Sequence, residues 1–309
     1  MLTTTVRAGN EILNLLMKHW LQRFWGQKAK PKSASRTDAP AAGDPGMAAP
    51  AQLAQRMPDF FISGAARCGT TSLWQYLRQH PDIYMPPVFE LKEPSYFCER
   101  YRFGMKDWRA YLALFAPAKN QRRIGEASGP YLTSPESPGK IKQVIPNARF
   151  IISLRNPAER AYSLYKWMHQ YGFESVSSFT EALETETQSR LDREEFKENN
   201  CQYYHNFLYF NSGLYFEQVK RFFDTFGRDK VQVIIFEEFT RQPEQHLGQL
   251  FDFLEVDPSF RPAIEVHNPS SAKYGAMDAG LRSRLLEKYA PNIRQLENLL
   301  GRELASLWV

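Results

Sequence analysis

Three runs of large apolar residues divide the chain: Phe60-Phe61-Ile62, Phe150-Ile151-Ile152-Ser153-Leu154 and the β-branched stretch from Lys230 to Phe236. Each has the length of a buried strand and lacks the alternation of a half-exposed one, which points to a parallel sheet covered on both faces. Helix-period segments follow them. Ser72 to Leu77 opens behind the first strand, a helix starting at Pro157 follows the second, and Gln242 to Leu254 follows the third. Further amphipathic helices are predicted at Lys106 to Phe115, Ser178 to Ser189, and Ser212 to Phe226, the last capped by Ser212 and ended by Gly227. Two more, split near Pro291, fill the last forty or so residues, with Trp308 docked on the core. A short strand, Ile124 onward, breaks at Gly129-Pro130, and Glu126 and Ser128 there are read as fixing the turn. Strands alternating with helices predict a three-layer α/β domain with a mainly parallel central sheet.

The first 57 residues read differently. Leu13, Leu16, Met17, Trp20, Leu21 and Phe24 make one helical stripe flanked by lysines and arginine, so residues 11–25 are expected to form an amphipathic helix. It is too short and polar to span a bilayer, and lacks the uninterrupted apolar region of a secretory signal. Its possible seats are a membrane interface, the main domain or a second subunit. Pro31 to Pro50, rich in Ala, Pro, Gly and Ser, cannot bury enough surface to fold and is expected to be a linker, which places the folded domain at 58–309.

Of 309 residues, 43% are hydrophobic, enough for a sizeable core. The net charge of +5 suits an anionic ligand or a membrane surface and falls short of a nucleic-acid signature. Cys68, Cys98 and Cys201 are widely spaced, so no disulfide framework or zinc site is indicated and a reducing compartment is expected.

Candidate chemistry centres on Gly64-Ala65-Ala66-Arg67-Cys68-Gly69-Thr70-Thr71-Ser72, between the first strand and its helix. Such a P-loop-like turn gathers backbone N–H groups at the positive end of a helix dipole, a natural seat for phosphate. Thr70 stands where nucleoside triphosphatases carry their phosphate-binding lysine, and the loop's cation is Arg67. Transfer of a γ-phosphoryl group therefore fits poorly; binding of a nucleotide 5′-phosphate fits well. Arg155, at the end of the second strand and followed by Asn156 as N-cap and Pro157 at the first helical position, has the planar fork that holds phosphate by two hydrogen bonds. Glu159 completes a capping-box-like pattern, and Ser163 lies two turns along the helix. Lys92 and Glu93 fall in an irregular segment beyond the loop, where the ligand crevice of an open α/β sheet lies.

These residues together resemble the sulfotransferases that use 3′-phosphoadenosine 5′-phosphosulfate (PAPS), in the branch of the heparan sulfate and other carbohydrate enzymes and their bacterial relatives. The resemblance runs from about Asp59 to Trp308. Gly64 to Ser72 looks like the family's 5′-phosphosulfate loop, with Arg67 where lysine is commoner, and Arg155 to Ser163 looks like its 3′-phosphate segment, R-N/D-P-x-x-R-x-x-S. Glu93 of KEPSYF falls on the family's acidic base, and GEASGPYL resembles a strand-end E-x-S-x-x-Y in which some relatives have lysine at the place of Ala127. The resemblance implies sulfuryl transfer from PAPS to a hydroxyl, or less readily an amine, without a metal. Glu93 takes the proton, Arg67, Cys68, Gly69, Thr70, Thr71 and Ser72 hold the 5′ end, and Arg155 and Ser163 hold the 3′-phosphate. Lys273, the lone cation of a small-residue loop, joins the donor site. The implied acceptor is a carbohydrate or glycolipid, and the implied location cytoplasmic, with peripheral contact on the inner membrane face through residues 11–25. Two other readings stay open at this stage: a P-loop kinase, and a PAP-binding membrane scaffold without catalysis.

Overall fold

The computed structural model describes residues 57–87, 92–101, 104–186, 203–265 and 275–308. The amphipathic segment 11–25, the linker, the charged stretch 191–200 and the loop holding Lys273 lie outside them. The described residues all fall within one compact unit, Ala49–Val309.

The chain enters at β1 (Phe60–Ile62) and turns through the candidate phosphate loop into α1 (Thr70–Leu77). The short β2 (Ile83–Tyr84), α2 (Trp108–Ala113), β3 (Arg123–Ala127), α3 (Pro130–Thr133) and α4 (Ser137–Val144) follow. Next come β4 (Arg149–Leu154), α5 (Pro157–Gln170), α6 (Phe179–Glu184), two 3-10 turns (Tyr204–Phe207 and Asn211–Gly213) and α7 (Tyr215–Phe226). A third 3-10 turn leads into β5 (Val231–Ile235), after which α8 (Phe236–Arg241), α9 (Pro243–Phe253), α10 (Ala279–Leu300) and α11 (Ala305–Trp308) complete the order.

The sheet has the order β2-β3-β1-β4-β5, every pair parallel. The three apolar runs of the sequence are its central and edge strands β1, β4 and β5. Because side chains alternate across a strand, adjacent residues feed opposite cores. Phe61, Phe150, Ile152 and Leu154 pack under α2, α4, α5, α7 and α10. Phe60, Ile62, Ile151 and Ile234 pack against α1 and α9 through Leu73, Trp74, Leu247 and Phe251. The result is the expected three-layer α/β arrangement. No helix of the described residues is long and apolar enough to cross a membrane.

Three local expectations are corrected. Ser212 does not cap α7: its hydroxyl donates back to the Leu208 carbonyl, and the helix begins at Tyr215, closing before Gly227 as expected. Pro291 does not split the C-terminal helix, since α10 runs through it with Leu285, Leu286, Tyr289, Ile293 and Leu296 buried on one face. Burial on both sides of the missing N–H outweighs the lost hydrogen bond. Glu159 does not close a capping box: the Asn156 N–H is taken by Glu237 Oε1 at 2.9 Å, and Glu159 pairs with Arg282 at 3.1 Å.

Candidate active site

The phosphate loop leaves the carboxyl end of β1 and is clamped by β4. Ala65 N–H donates to the Ser153 carbonyl at 2.7 Å, Ser153 N–H to the Gly64 carbonyl at 2.9 Å, and Ser153 Oγ to the Cys68 carbonyl at 2.6 Å. Ser153 is thus a polar position inside an apolar strand because it fastens the loop. Gly69 precedes α1 in the left-handed region (φ 78°), and a Cβ there would meet the Phe236 ring at 2.9 Å. The left-handed backbone and the ring together demand glycine at that point. Cys68 is fully buried, its N–H spent on the Ala65 carbonyl and its thiol pushed up to about 11 by burial. It therefore holds the loop and is no reactive thiolate.

Past Cys68 the loop turns outward. The first intrahelical bond of α1 is Leu73 N–H to the Gly69 carbonyl at 3.0 Å. The N–H groups of Thr70, Thr71 and Ser72 are the first-turn donors that an α-helix leaves for a ligand. Arg67 stands beside them with φ 69°, unusual for a side-chain-bearing residue. Its Nε lies 3.2 Å from Ser163 Oγ, which joins the two candidate phosphate motifs across 96 residues of sequence. Burial and the neighbouring charge of Arg155 hold the Arg67 guanidinium below its usual range.

Arg155 sits at the end of β4 with its guanidinium 5.1 Å from the Phe236 ring centre and its carbonyl fixed by Tyr215 OH at 3.0 Å. Asn156 caps α5 through Ala158 N–H and Glu159 N–H, at 3.0 and 3.1 Å, and sends its own amide to the Trp308 carbonyl at 2.5 Å. The C-terminal tryptophan therefore buttresses the turn that carries Arg155, and its indole reaches Glu237 at 3.1 Å. Among the described residues neither Arg67 nor Arg155 has a carboxylate partner within ion-pair distance. Two converging cations without an internal counter-ion make a seat for an external anion.

Opposite them, Glu93 Oε1 meets Lys92 Nζ at 2.8 Å; the lysine side chain is 3% exposed and the glutamate 43%. Lys92 is therefore a buried partner, and Glu93 is partly exposed. Glu93 Oε1 comes within 4.0 Å of where a Cβ on Gly129 would stand, just beyond β3. That places the carboxylate at the same sheet end as the loop.

Sequence reasoning missed several residues at this site. Lys166, three positions after Ser163 and so on the same face of α5, lies 4.5 Å from the Tyr162 ring centre. Burial and the charges of Arg155 and Arg67 hold its ammonium below the ordinary lysine range, which ties it to the same cationic cluster. Its helical spacing from Ser163 was the available signal. Ser153 and Trp308 gave no signal of this kind, because their bonds join segments distant in sequence. Among the described residues no group of three His, Cys, Asp or Glu converges as a metal site would require.

A strand, a loop with free first-turn amides, an arginine at the next strand end and a carboxylate at the same sheet end make up the candidate site of this parallel α/β domain. The family model of the sulfotransferase domain matches residues 57–273, and the chain belongs to the sulfotransferase family. A solved sulfotransferase from Alicyclobacillus acidocaldarius is 37% identical, with a TM-score of 0.69 over 82% of this chain and 98% of that one. Curated relatives include the membrane-associated sulfotransferase kil1 of Dictyostelium discoideum, 25% identical over 80% of this chain and 66% of its own length. Human carbohydrate sulfotransferase 15 is 26% identical over 80% of this chain and 54% of its own length. The chain thus spans about two thirds of the Dictyostelium relative and about half of the human one.

Proposed function

We propose that the protein transfers the sulfuryl group of PAPS to a hydroxyl of a carbohydrate-containing acceptor. The observation that carries this reading is the 3.2 Å bridge between Arg67 and Ser163, which joins two motifs whose cations have no carboxylate partner among the described residues. The residues fit a ligand with phosphate at both ends of its ribose: first-turn amides of α1 for one end, Arg155 and Ser163 for the other. A nucleoside triphosphate, with no 3′-phosphate, leaves Arg155 unanswered. Bound PAPS supplies the sulfur–oxygen bond that breaks, and everything else falls to the chain.

Glu93 accepts the proton of the acceptor hydroxyl as that oxygen bonds to sulfur. Lys92 keeps the carboxylate in place from its buried side. Arg67, Thr70, Thr71 and the amides of the α1 start stabilise the negative charge that grows on the departing phosphate oxygen, and PAP is released. Lys273 is proposed as a further donor-site cation. The carbohydrate names of several relatives favour a glycan acceptor, and the name of the Dictyostelium protein agrees with peripheral membrane contact through residues 11–25. The domain boundary near residue 58 and a cytoplasmic location complete the reading. Family membership favours this reading over the kinase, and the partly exposed Glu93 favours it over the scaffold.

The test is transfer of labelled sulfuryl from PAPS to a panel of desulfated heparin, desulfated chondroitin and glycolipid. Label on any of them, abolished by Glu93→Gln, supports the reading. Label on none, with PAP binding intact, would move the acceptor outside carbohydrates.

A further inference from the structure

Glu126 is fully buried on β3, and the donor site makes no use of it. Both its oxygens are engaged. Ser128 Oγ donates to Oε1 at 2.5 Å, and the Tyr111 hydroxyl donates to Oε2. Ser128 Oγ in turn accepts the Ser95 N–H at 2.9 Å. A hydroxyl has one proton, so with that proton committed to the carboxylate its lone pair faces the amide. Two residues along, Phe97 N–H is held by the Tyr131 hydroxyl at 3.3 Å.

Ser95 lies two residues after Glu93 and adopts φ 49°, a left-handed conformation that costs a side-chain-bearing residue. Its own hydroxyl is buried and makes no hydrogen bond among the described residues, so the side chain does not supply the restraint. The bond to Ser128 supplies it. We propose that Glu126 is a positioning residue for catalysis: through Ser128 its carboxylate holds the backbone at Ser95 and so aims the Glu93 carboxylate at the acceptor. The inference rests on the assignment of Glu93 as the base.

The ionisation of Glu126 makes the device testable. Burial pushes its carboxyl up to about 7, with the hydrogen bonds from Ser128, Tyr111 and Tyr131 opposing and the nearby Glu93 charge adding to the rise. The groups facing it are Tyr111 from α2, Tyr131 from α3, and Glu93, itself paired with Lys92. As a carboxylate Glu126 accepts from Ser128 and Tyr111 together. Once protonated, one oxygen must donate, and one of the two bonds is lost or reversed.

The experiment is hydrogen exchange of the full chain across pH 5.5 to 8.5, about 1.5 units either side of neutrality, read at the amides of Ser95 and Phe97 and corrected for intrinsic rates. Wild type is expected to change protection with a midpoint near the Glu126 value, and Glu126→Gln to show no such midpoint while binding PAP as wild type does. Turnover of labelled PAPS with desulfated heparin should fall about ten- to a hundred-fold in Glu126→Gln with KM for PAPS unchanged, and the pH-rate limb near neutrality should vanish. Ser128→Ala, which keeps the carboxylate, should reproduce the exchange result and serves if Glu126→Gln does not fold. Identical exchange profiles in wild type and both variants would overturn the inference. Glu93→Gln separates the two levels: it should lose turnover and keep the exchange transition, its midpoint moved down because the charge that adds to the Glu126 rise is gone. If it keeps turnover, the assignment of the base fails while the exchange profile still decides whether Glu126 holds Ser95.

Discussion

In the proposed reading Arg67 and Arg155 carry the donor site between them, and substitutions at Arg155 and at Glu93 have distinct signatures. Arg155→Ala removes a cation with no carboxylate partner among the described residues, so the fold should survive and PAP affinity should drop by about tenfold or more, in line with loss of a charge-assisted hydrogen bond. Calorimetric titration reads it directly, and unchanged affinity would remove Arg155 from the phosphate site. Glu93→Gln should bind PAP normally and turn over roughly 10² to 10⁴ times more slowly, the usual range for general acid–base catalysis. Much of this was legible in the sequence, because Gly64 to Thr71 and Arg155 to Ser163 are continuous motifs at strand ends. The burial of Lys92 was not, since a Lys-Glu pair in an irregular segment reads as a solvated surface pair until the structure covers the lysine.

At the scale of elements, the turn from β4 into α5 is tied to three other parts of the chain. Asn156 caps the helix, receives nothing from Glu159, and ties to Trp308, while its N–H is taken by Glu237. Asn156→Ala should cost about 1 kcal/mol for the cap alone, with a further contribution from the lost bond to Trp308. For a domain of this size that lowers Tm by roughly 2–4 °C per kcal/mol. Because the same turn carries Arg155, PAP affinity should weaken in parallel; a lower Tm with unaltered affinity would show that the cap stabilises without positioning. The strands were legible because their apolar runs have no helical period. The helix ends were less so: the hydroxyl of Ser212 suggested a cap, yet it satisfies a carbonyl one turn back.

At the scale of the whole molecule, Glu126 and the largely enclosed His205 are two of the described titrating groups, with opposed effects on stability. Glu126 is raised to about 7, so between the ordinary glutamate value and 7 the folded chain holds more protons than the unfolded one, and stability falls as pH rises through that window. His205 is lowered to about 4 by burial and by the charges of Arg100 and Arg221, against which Glu136 acts. Between 4 and the ordinary histidine value the unfolded chain holds the extra proton, and stability rises with pH. The two slopes offset where the windows overlap. Glu126→Gln should therefore expose a positive slope of up to about 1.4 kcal/mol per pH unit between the two His205 limits, measured by urea unfolding against wild type. An unaltered profile would place the Glu126 ionisation elsewhere. Neither shift was legible in the sequence, because burial of a residue at a strand end or in a short 3-10 turn depends on which helices close over it.

The most direct test of the account is calorimetric titration of the full chain with PAP, with ATP and AMP alongside. The account predicts tight binding of PAP, weak binding of AMP and ATP, and loss of that preference in Arg155→Ala. Equal binding of ATP and PAP would contradict the pairing of Arg155 and Ser163 with a 3′-phosphate and, with it, the assignment of the donor.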